Sequence, residues 1–369
     1  MAYNTIKRSF FAVSVLLLLS LFSIASEHVN AQANHSNSEK VDVNKAIFDH
    51  ISDNHDWHLW DVTDADGTVH AVSFPLPIIL INTNPFSITT FMSSEFHHGH
   101  SPVTKGKYTY VMHEQKIYYA DAQGNLTYDD KGNIINNTPL DLSITKNVST
   151  LFLAALLMIL IFMSCAKAYK RRPGLAPKGL QGFLEPIILF VKDDIVIPNI
   201  GEKKHARFLP YLLTVFFFIW ILNMMGLIPF FPGSANVTGN IAVTFVLALF
   251  TLIITNVSGN KDYWKHIFAM PGLPLWLLPI MIVVELIGII AKPFALMIRL
   301  FANITAGHIV VLSLVSLIFV FQTLAIAPVS VAFVLFMDVL ELFVAALQAY
   351  IFTMLSALFI GLAVQEHHH

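Results

Sequence analysis

Phe294-Ala-Leu-Met-Ile-Arg299-Leu-Phe-Ala-Asn303-Ile-Thr-Ala-Gly307-His308 lies inside residues 273–327, a long apolar stretch with very few ionisable side chains. As one helix, these 55 residues would be about 82 Å long, against a hydrocarbon core of about 30 Å. The segment must therefore fold back or lie steeply inclined. Pro279 and Pro293 are the places where it can bend, because proline lacks the N–H that a helix interior uses. Pro328 then marks a turn, and residues 331–364 form a second long helical stretch. Two long, tilted, antiparallel helices meeting at a turn are the centre of the fold.

Working outward, further uncharged runs occupy residues 148–166, 208–231, 241–257, 266–284, 309–337 and 342–365. Each is long enough, or nearly so, to cross a bilayer as a helix. The composition agrees: the 369 residues are 55% hydrophobic and 12% charged, where a soluble domain carries about 25% charged residues. A simple soluble enzyme is excluded. Residues 34–146 hold 7 Lys/Arg against 14 Asp/Glu, and residues 147–369 hold 13 against 9, so the two halves are solvated differently. The single cysteine, Cys165, lies in an apolar run, which rules out an intrachain disulfide or a cysteine metal site.

Lys7 and Arg8, an apolar core over 10–24 and the small-residue sequence Ala31-Gln32-Ala33 have the layout of a secretory signal peptide. Cleavage near Ala33 and retention as an uncleaved anchor both put the following residues outside the cytoplasm. Residues 167–207 carry 9 Lys/Arg, residues 232–240 carry none, and 258–272 carry Lys261 and Lys265. Positive loops stay in the cytoplasm. The first span then runs inward and the next two return as a hairpin. The expectation is a mainly α-helical polytopic membrane protein with five transmembrane helices, an amphipathic cytoplasmic segment and a small extracytoplasmic β-rich N-terminal domain. Its divisions are 1–33 (signal), 34–146 (β-rich), 147–365 (transmembrane) and 366–369 (tail). The C-terminus is cytoplasmic, in a bacterial inner membrane. The terminal His367-His368-His369 is either native or a tag remnant.

Within 34–146, residues 69–82, 108–119 and 122–136 read as strand-like stretches. Gly124-Asn125 and Gly132-Asn133 stand where tight turns would fall. His97-His98-Gly99-His100 offers imidazoles, but with no cysteine and no second cluster at a diagnostic spacing it reads as a solvated loop. No metal and no other cofactor is assigned.

Ionisable groups inside a membrane are costly and face protein or water, so each is a functional candidate. Residues 273–365 contain Glu285, Lys292, Arg299, His308, Asp338 and Glu341. Arg299 stays protonated at any workable pH, which makes it a poor proton relay and a good electrostatic barrier. A salt bridge to Glu285 or Glu341, or snorkelling, is the structural alternative. At 100° per residue Asn303 shares its face. Glu285 lies about 21 Å back and about 40° around, and His308 lies opposite and about 13.5 Å further on. Glu341 and Gln348 are seven apart on one face. Spacing alone leaves two roles for a His308–Glu341–Gln348 group: a polar path between the long helices, or a hydrogen-bonded clamp. Lys292 either snorkels or pairs with Glu285. Asp338 belongs to the same polar group or to the outer surface.

Over roughly residues 147–365 the chain resembles subunit a of rotary F-type ATP synthases. The resemblance rests on Asn223-Met-Met-Gly226-Leu227-Ile-Pro229, Lys292-Pro293, Arg299-Leu300-Phe301-Ala302-Asn303 with Ala306-Gly307, and Leu347-Gln348-Ala349-Tyr350-Ile351-Phe352. It implies that Arg299 is the essential stator arginine, with Asn303 its helical neighbour and Gln348 the glutamine of the adjoining helix. It further implies that Glu285 belongs to a cytoplasm-facing half-channel and that His308 and Glu341 carry protons in the outward-facing one. Some bacterial relatives carry these two residue types the other way round. By the same resemblance Asn236, Thr238 and Asn240 lie near the outer hairpin turn at the inlet. The implied partners are the c-ring subunits, the subunit b peripheral stalk, the F1 sector indirectly, the lipid bilayer and transported H⁺ before Na⁺, that choice resting largely with the ring. No nucleic acid is implied.

Other classes fit less well. A secondary transporter would favour internal repeats and discontinuous helices, and residues 208–365 have no repeat. A membrane hydrolase would need a nucleophile with a base or HExxH, and nucleotide chemistry would need GxxxxGK[ST]; none of these is in the sequence. A structural anchor would not need a buried arginine.

Overall fold

A computed structural model describes residues 52–365 apart from 64–68, 98, 100, 131, 172, 229–232, 234, 269–273, 275 and 322–326. The expected signal peptide, the terminal histidines, and His98 and His100 of the histidine cluster lie outside the described residues. Two compact units emerge. One contains the strands and the first turn of the first helix, together with residues 228–235 and 312–331; the other contains 151–227, 236–311 and 332–369.

The first unit is built from short antiparallel sheets. β1 (Asp56–Thr63) pairs with β2 (Val69–Pro75). β3 (Pro77–Thr83) lies between β4 (Phe86–Met92) and β8 (Leu140–Asp141), and β6 (Tyr108–His113) lies between β5 (Val103–Lys105) and β7 (Lys116–Ala120). Residues 69–82, expected as one stretch, are two strands. Pro75 and Pro77 cannot donate to a ladder, and between them Leu76 turns inward and its N–H donates to Ser93 Oγ at 2.9 Å. Residues 108–119 are likewise a hairpin. Its two-residue loop, Glu114-Gln115, has φ of 48° and 63°, the left-handed pair whose twist matches the flanking strands.

The expected turns at Gly124 and Gly132 form, with φ of 84° and 81°. In each, an aspartate four residues before the asparagine accepts that asparagine's N–H: Asp121 from Asn125 and Asp129 from Asn133, both at 2.7 Å. The expected strands around them do not form; a single bridge, Tyr128 to Ile134, is the only pairing there among the described residues. The aspartate side chains satisfy backbone donors that a ladder would otherwise use.

Ile78, Leu80, Phe91, Phe96, Tyr110 and Ile117 form the core of this unit. At its centre the Asn82 side chain is fully engaged. Its Oδ1 accepts from Tyr110 and Tyr119 hydroxyls at 2.9 and 2.8 Å, and its Nδ2 donates to Ser87 and Thr89, both at 3.0 Å.

The helices begin at α1 (Lys146–Arg171). α2 (Leu180–Phe190) passes through a π-helical turn, Val191–Val196, into the short α3 (Ile197–Ile200). On α2 Gln181 and Leu184 are buried, while Leu180, Phe183 and Leu189 are exposed. Then come α4 (His205–Gly226), α5 (Ile241–Val257), α6 (Lys261–Phe268), α7 (Leu278–Phe321) and α8 (Ala327–Val364).

α1, α4, α7 and α8 are each long and apolar enough to cross a membrane, and α5 with α6, bent by 100°, makes a fifth candidate. The chain is a membrane protein. The run 266–284 is not a span: α6 ends at Phe268 and α7 starts at Leu278, so this apolar stretch is divided between two helices. α7 continues through Pro293 for 44 residues, about 66 Å, and so must be inclined. Pro328 sits in the first turn of α8, where its missing N–H is no loss.

Within lipid, packing between helices replaces the hydrophobic drive. Accordingly the buried face of α8 carries the small residues Ala345, Ala349, Ala357 and Gly361. A Cβ on Gly361 would collide with the Asn199 carbonyl, so this glycine permits the crossing of α8 with α3. Tyr211, Thr251 and Ser356 join α4, α5 and α8 through hydroxyl contacts of 2.9 and 3.3 Å.

Candidate functional site

α7 presents two different faces around its arginine. Leu296, Met297 and Leu300 are buried in the helical core, whereas Ala295, Arg299, Ala302, Asn303 and Ala306 are exposed. The alternation follows from helical spacing: 295, 299, 302 and 306 recur at three- and four-residue steps. Arg299 therefore stands on the outer surface of the bundle between small residues. Among the described residues it forms no ion pair, so the alternative of a salt bridge to Glu285 or Glu341 is not realised.

Behind this face, α7 and α8 run antiparallel and meet through polar side chains. Asn303 Nδ2 donates to Gln348 Oε1 at 2.9 Å. Gln348 is 1% exposed, and its Nε2 is buried without a hydrogen-bond partner among the described residues. Seven residues earlier on α8, about 10.5 Å along the axis, the Glu341 carboxylate packs against Gly307, its Oε1 filling the place that a Cβ would take. That oxygen is also buried without a hydrogen-bond partner. His308, next to Gly307, is half-buried, as is Asp338, three residues before Glu341. Further along the same helices, Ser330 Oγ donates to the Leu314 carbonyl. Glu341 and Gln348 thus line one α7–α8 seam, as their spacing predicts.

A loop buttresses this seam. Thr238 Oγ1 donates to Asn223 Oδ1 at 2.8 Å, and Asn223 Nδ2 donates to the Ala345 carbonyl at 3.3 Å. Thr305 Oγ1 reaches the Gly239 carbonyl at 3.5 Å. Asn236 accepts from the Gly239 N–H, and Asn240 caps α5 through the Ala242 N–H, both at 3.0 Å. Asn236, Thr238 and Asn240 all have local structural bonds, and the loop they form touches α7 one turn before His308.

Glu285 is not part of this cluster; it lies fourteen residues before Arg299 on α7 and is half-buried. Lys292 does not pair with it. Its Nζ instead lies 5.8 Å from the centre of the Phe359 ring, a cation–π contact. The sequence reading missed two participants. Gly307 makes room for Glu341, and Asn223 ties the 236–240 loop to α8. The signal available for the first was a glycine beside a histidine in a membrane helix, where small residues mark close approach.

Residues 148–361 match the family described as ATP synthase A chain. This chain belongs to that family. Similar proteins include the ATP synthase subunit a of Chloroherpeton thalassium, 48% identical over 235 residues, with 62% of this chain and 69% of that protein covered. The Myxococcus xanthus ATP synthase subunit a is 48% identical over 236 residues, covering 62% of this chain and 76% of the relative. That of Anaeromyxobacter is 42% identical over 267 residues, covering 70% and 64%. Residues 46–142 match a second family, described as Domain of unknown function (DUF8433). Arg299, Asn303, Gly307, Glu341 and Gln348 all fall inside the ATP synthase A chain match, which covers α7 and all but the last turn of α8.

Proposed function

We propose that this subunit is the proton-translocating stator of an F-type ATP synthase, coupling ion flow across a bacterial inner membrane to rotation of a c-ring. It is not catalytic alone. The observation that carries this reading is Arg299, without an ion pair among the described residues, on the exposed small-residue face of α7, backed by the polar α7–α8 seam. A cation exposed in the middle of an apolar helix calls for an anionic partner, since an unpaired charge in lipid costs several kcal/mol. A carboxylate on each ring subunit supplies one, and the small residues beside Arg299 let ring helices pass closely.

In this scheme a proton enters from outside past the 236–240 loop, Asp338, His308, Glu341 and Gln348 and neutralises a ring carboxylate, which can then turn into lipid. After most of a turn the same group meets the outlet beside Glu285 and releases its proton. Arg299, which has no proton to give, attracts the ionised carboxylate and blocks direct passage between the half-channels. Asn303 holds Gln348 in line. One charge crossing 100 mV yields only about 2.3 kcal/mol, so several crossings serve each ATP made in the F1 sector. A subunit b stalk would hold the stator against rotation. Residues 1–33 would be the signal, with 34–146 outside the cytoplasm, 147–365 the membrane domain, 366–369 a tail and the C-terminus cytoplasmic.

Arg299→Ala in vesicles carrying the whole complex tests this. The expected result is loss of ATP-driven proton pumping with the spans still inserted; pumping at the unsubstituted rate would overturn the assigned role.

A further inference from the structure

The β4–β3–β8 sheet carries large apolar side chains on both faces. Ile78, Leu80 and Phe91 point into the core of the β unit. On the opposite face the register sets Ile88 beside Ile81 and Ile81 beside Leu140, and the Leu142 N–H bonds to the Ile79 carbonyl at 2.9 Å, placing Leu142 beside Ile79. Residues directly opposite one another share a face, so these side chains form one patch. Phe86, Ile88, Leu140 and Leu142 are 74, 61, 55 and 57% exposed. An antiparallel sheet with one face in water alternates apolar and polar residues, yet β3 has Ile78, Ile79, Leu80 and Ile81 in succession. A contiguous exposed patch of this kind marks a docking surface.

The chain determines what lies next to it. Leu142 is four residues before Lys146, the first residue of α1, and four residues reach at most about 14 Å. The polar headgroup zone is roughly 5–8 Å deep on each side of the hydrocarbon core. The connection is also tied down rather than loose. Ile144 N–H bonds to the Pro77 carbonyl at 3.0 Å and Lys146 N–H to the Asn54 carbonyl at 2.9 Å. Asp53 accepts from the Thr145 hydroxyl at 2.9 Å and from the Asn147 N–H at 3.0 Å, closing the open end of α1. The patch therefore leads along the chain through residues 140–144 into the first turn of α1, a helix long and apolar enough to cross a membrane.

We infer that the exposed face of the β4–β3–β8 sheet docks on the lipid surface of the leaflet at which α1 begins, with Phe86, Ile88, Leu140 and Leu142 in the headgroup and upper acyl region. Lipid fits because only four residues separate Leu142 from the first residue of a helix long and apolar enough to cross a membrane, a distance comparable to the depth of the headgroup zone. The β unit would then be a membrane-resting foot at the start of α1.

Nitroxide labels in the full chain, assembled in its complex and reconstituted into liposomes, test this. In a Cys165→Ala background, labels are placed at Ile88→Cys and Leu140→Cys. Leu156→Cys serves as the lipid reference and Gln123→Cys, in an exposed turn, as the water reference. Collision with oxygen, which concentrates in lipid, is compared with collision with a water-soluble nickel chelate. The proposal expects the oxygen-to-nickel ratio at 88 and 140 to rise above that at 123 toward that at 156. A ratio equal to that at 123 would overturn it in favour of open water. Low collision with both reagents would overturn it in favour of a protein partner or a second copy.

Discussion

Two buried amides divide the molecule between them. Asn82, in the β unit, has both donors and its acceptor oxygen engaged by Tyr110, Tyr119, Ser87 and Thr89. Gln348, in the helical unit, accepts one bond from Asn303 and leaves Nε2 buried without a hydrogen-bond partner, and Glu341 nearby does the same with Oε1. A closed network fixes one arrangement of a core, whereas an open one keeps polar capacity for something that arrives. Asn82 spends its whole hydrogen-bonding capacity on the shape of the β core, although elsewhere in that unit Asn54 Oδ1 and His55 Nδ1 are buried without a hydrogen-bond partner among the described residues. The α7–α8 seam holds some back, and those lie along the proposed proton path.

The comparison is most easily broken at the two amides themselves. Asn82→Ala takes a partner from the Tyr110, Tyr119, Ser87 and Thr89 hydroxyls, of which Tyr110 and Thr89 keep a 3.2 Å contact with each other, at roughly 1–3 kcal/mol per group left unsatisfied without full additivity; the β unit is expected to lose about 3–5 kcal/mol, read as lost amide-exchange protection over residues 77–120. Gln348→Ala is expected to change helix protection little, since hydrogen bonds between membrane helices average about 0.6 kcal/mol, while markedly slowing ATP-driven pumping. Equal unfolding in both variants would erase the distinction.

Gly307→Ala sharpens it further. A Cβ there takes the space of the Glu341 carboxylate, so that group must move. The expected outcome is intact assembly with pumping slowed roughly tenfold or more, on the scale that small misplacements cost. Unchanged pumping would mean that the position of Glu341 is immaterial. His308→Ala and Glu341→Ala are each expected to slow translocation and alter its pH dependence, and an unchanged pH–rate curve in both would leave the pair as a helix clamp.

The smallest effect belongs to the β unit. Burial tends to raise the Asp141 carboxyl, but hydrogen bonds from His55 and from the Ser143 hydroxyl and N–H outweigh it and hold the group below its usual 3.8. The His55 Nε2 contact is 2.8 Å. Because the folded value is the lower one, this stabilisation is present above about 3.8 and disappears as pH falls through the folded value. Asp141→Asn is expected to flatten the acid limb of β-unit stability, by about 1–3 kcal/mol at neutral pH, monitored by amide exchange across pH. An identical acid limb would remove Asp141 from the account.

Much of this architecture was legible from residue order. The apolar length of 273–364 called for long helices that fold back or incline, and the three- and four-residue spacing put Asn303 on the face of Arg299. Gly-Asn at 124–125 and at 132–133 announced two turns. Other features depend on partners that a linear pattern does not name. The proline pair around Leu76 divided an apparently continuous strand, and hydropathy did not mark where α6 ends and α7 begins. Lys292 found an aromatic ring rather than a carboxylate. Gly307 carries no chemistry of its own, and its part became visible only once Glu341 was seen in the space it leaves.

A stator role requires the exposed α7 face to meet the rotor. A photo-crosslinking amino acid at Ala302, one turn from Arg299 on that face, tests this in the assembled complex in its membrane. The account predicts an adduct with the ring subunit. Adducts with lipid or stalk subunits alone, in a complex that still pumps, would contradict it.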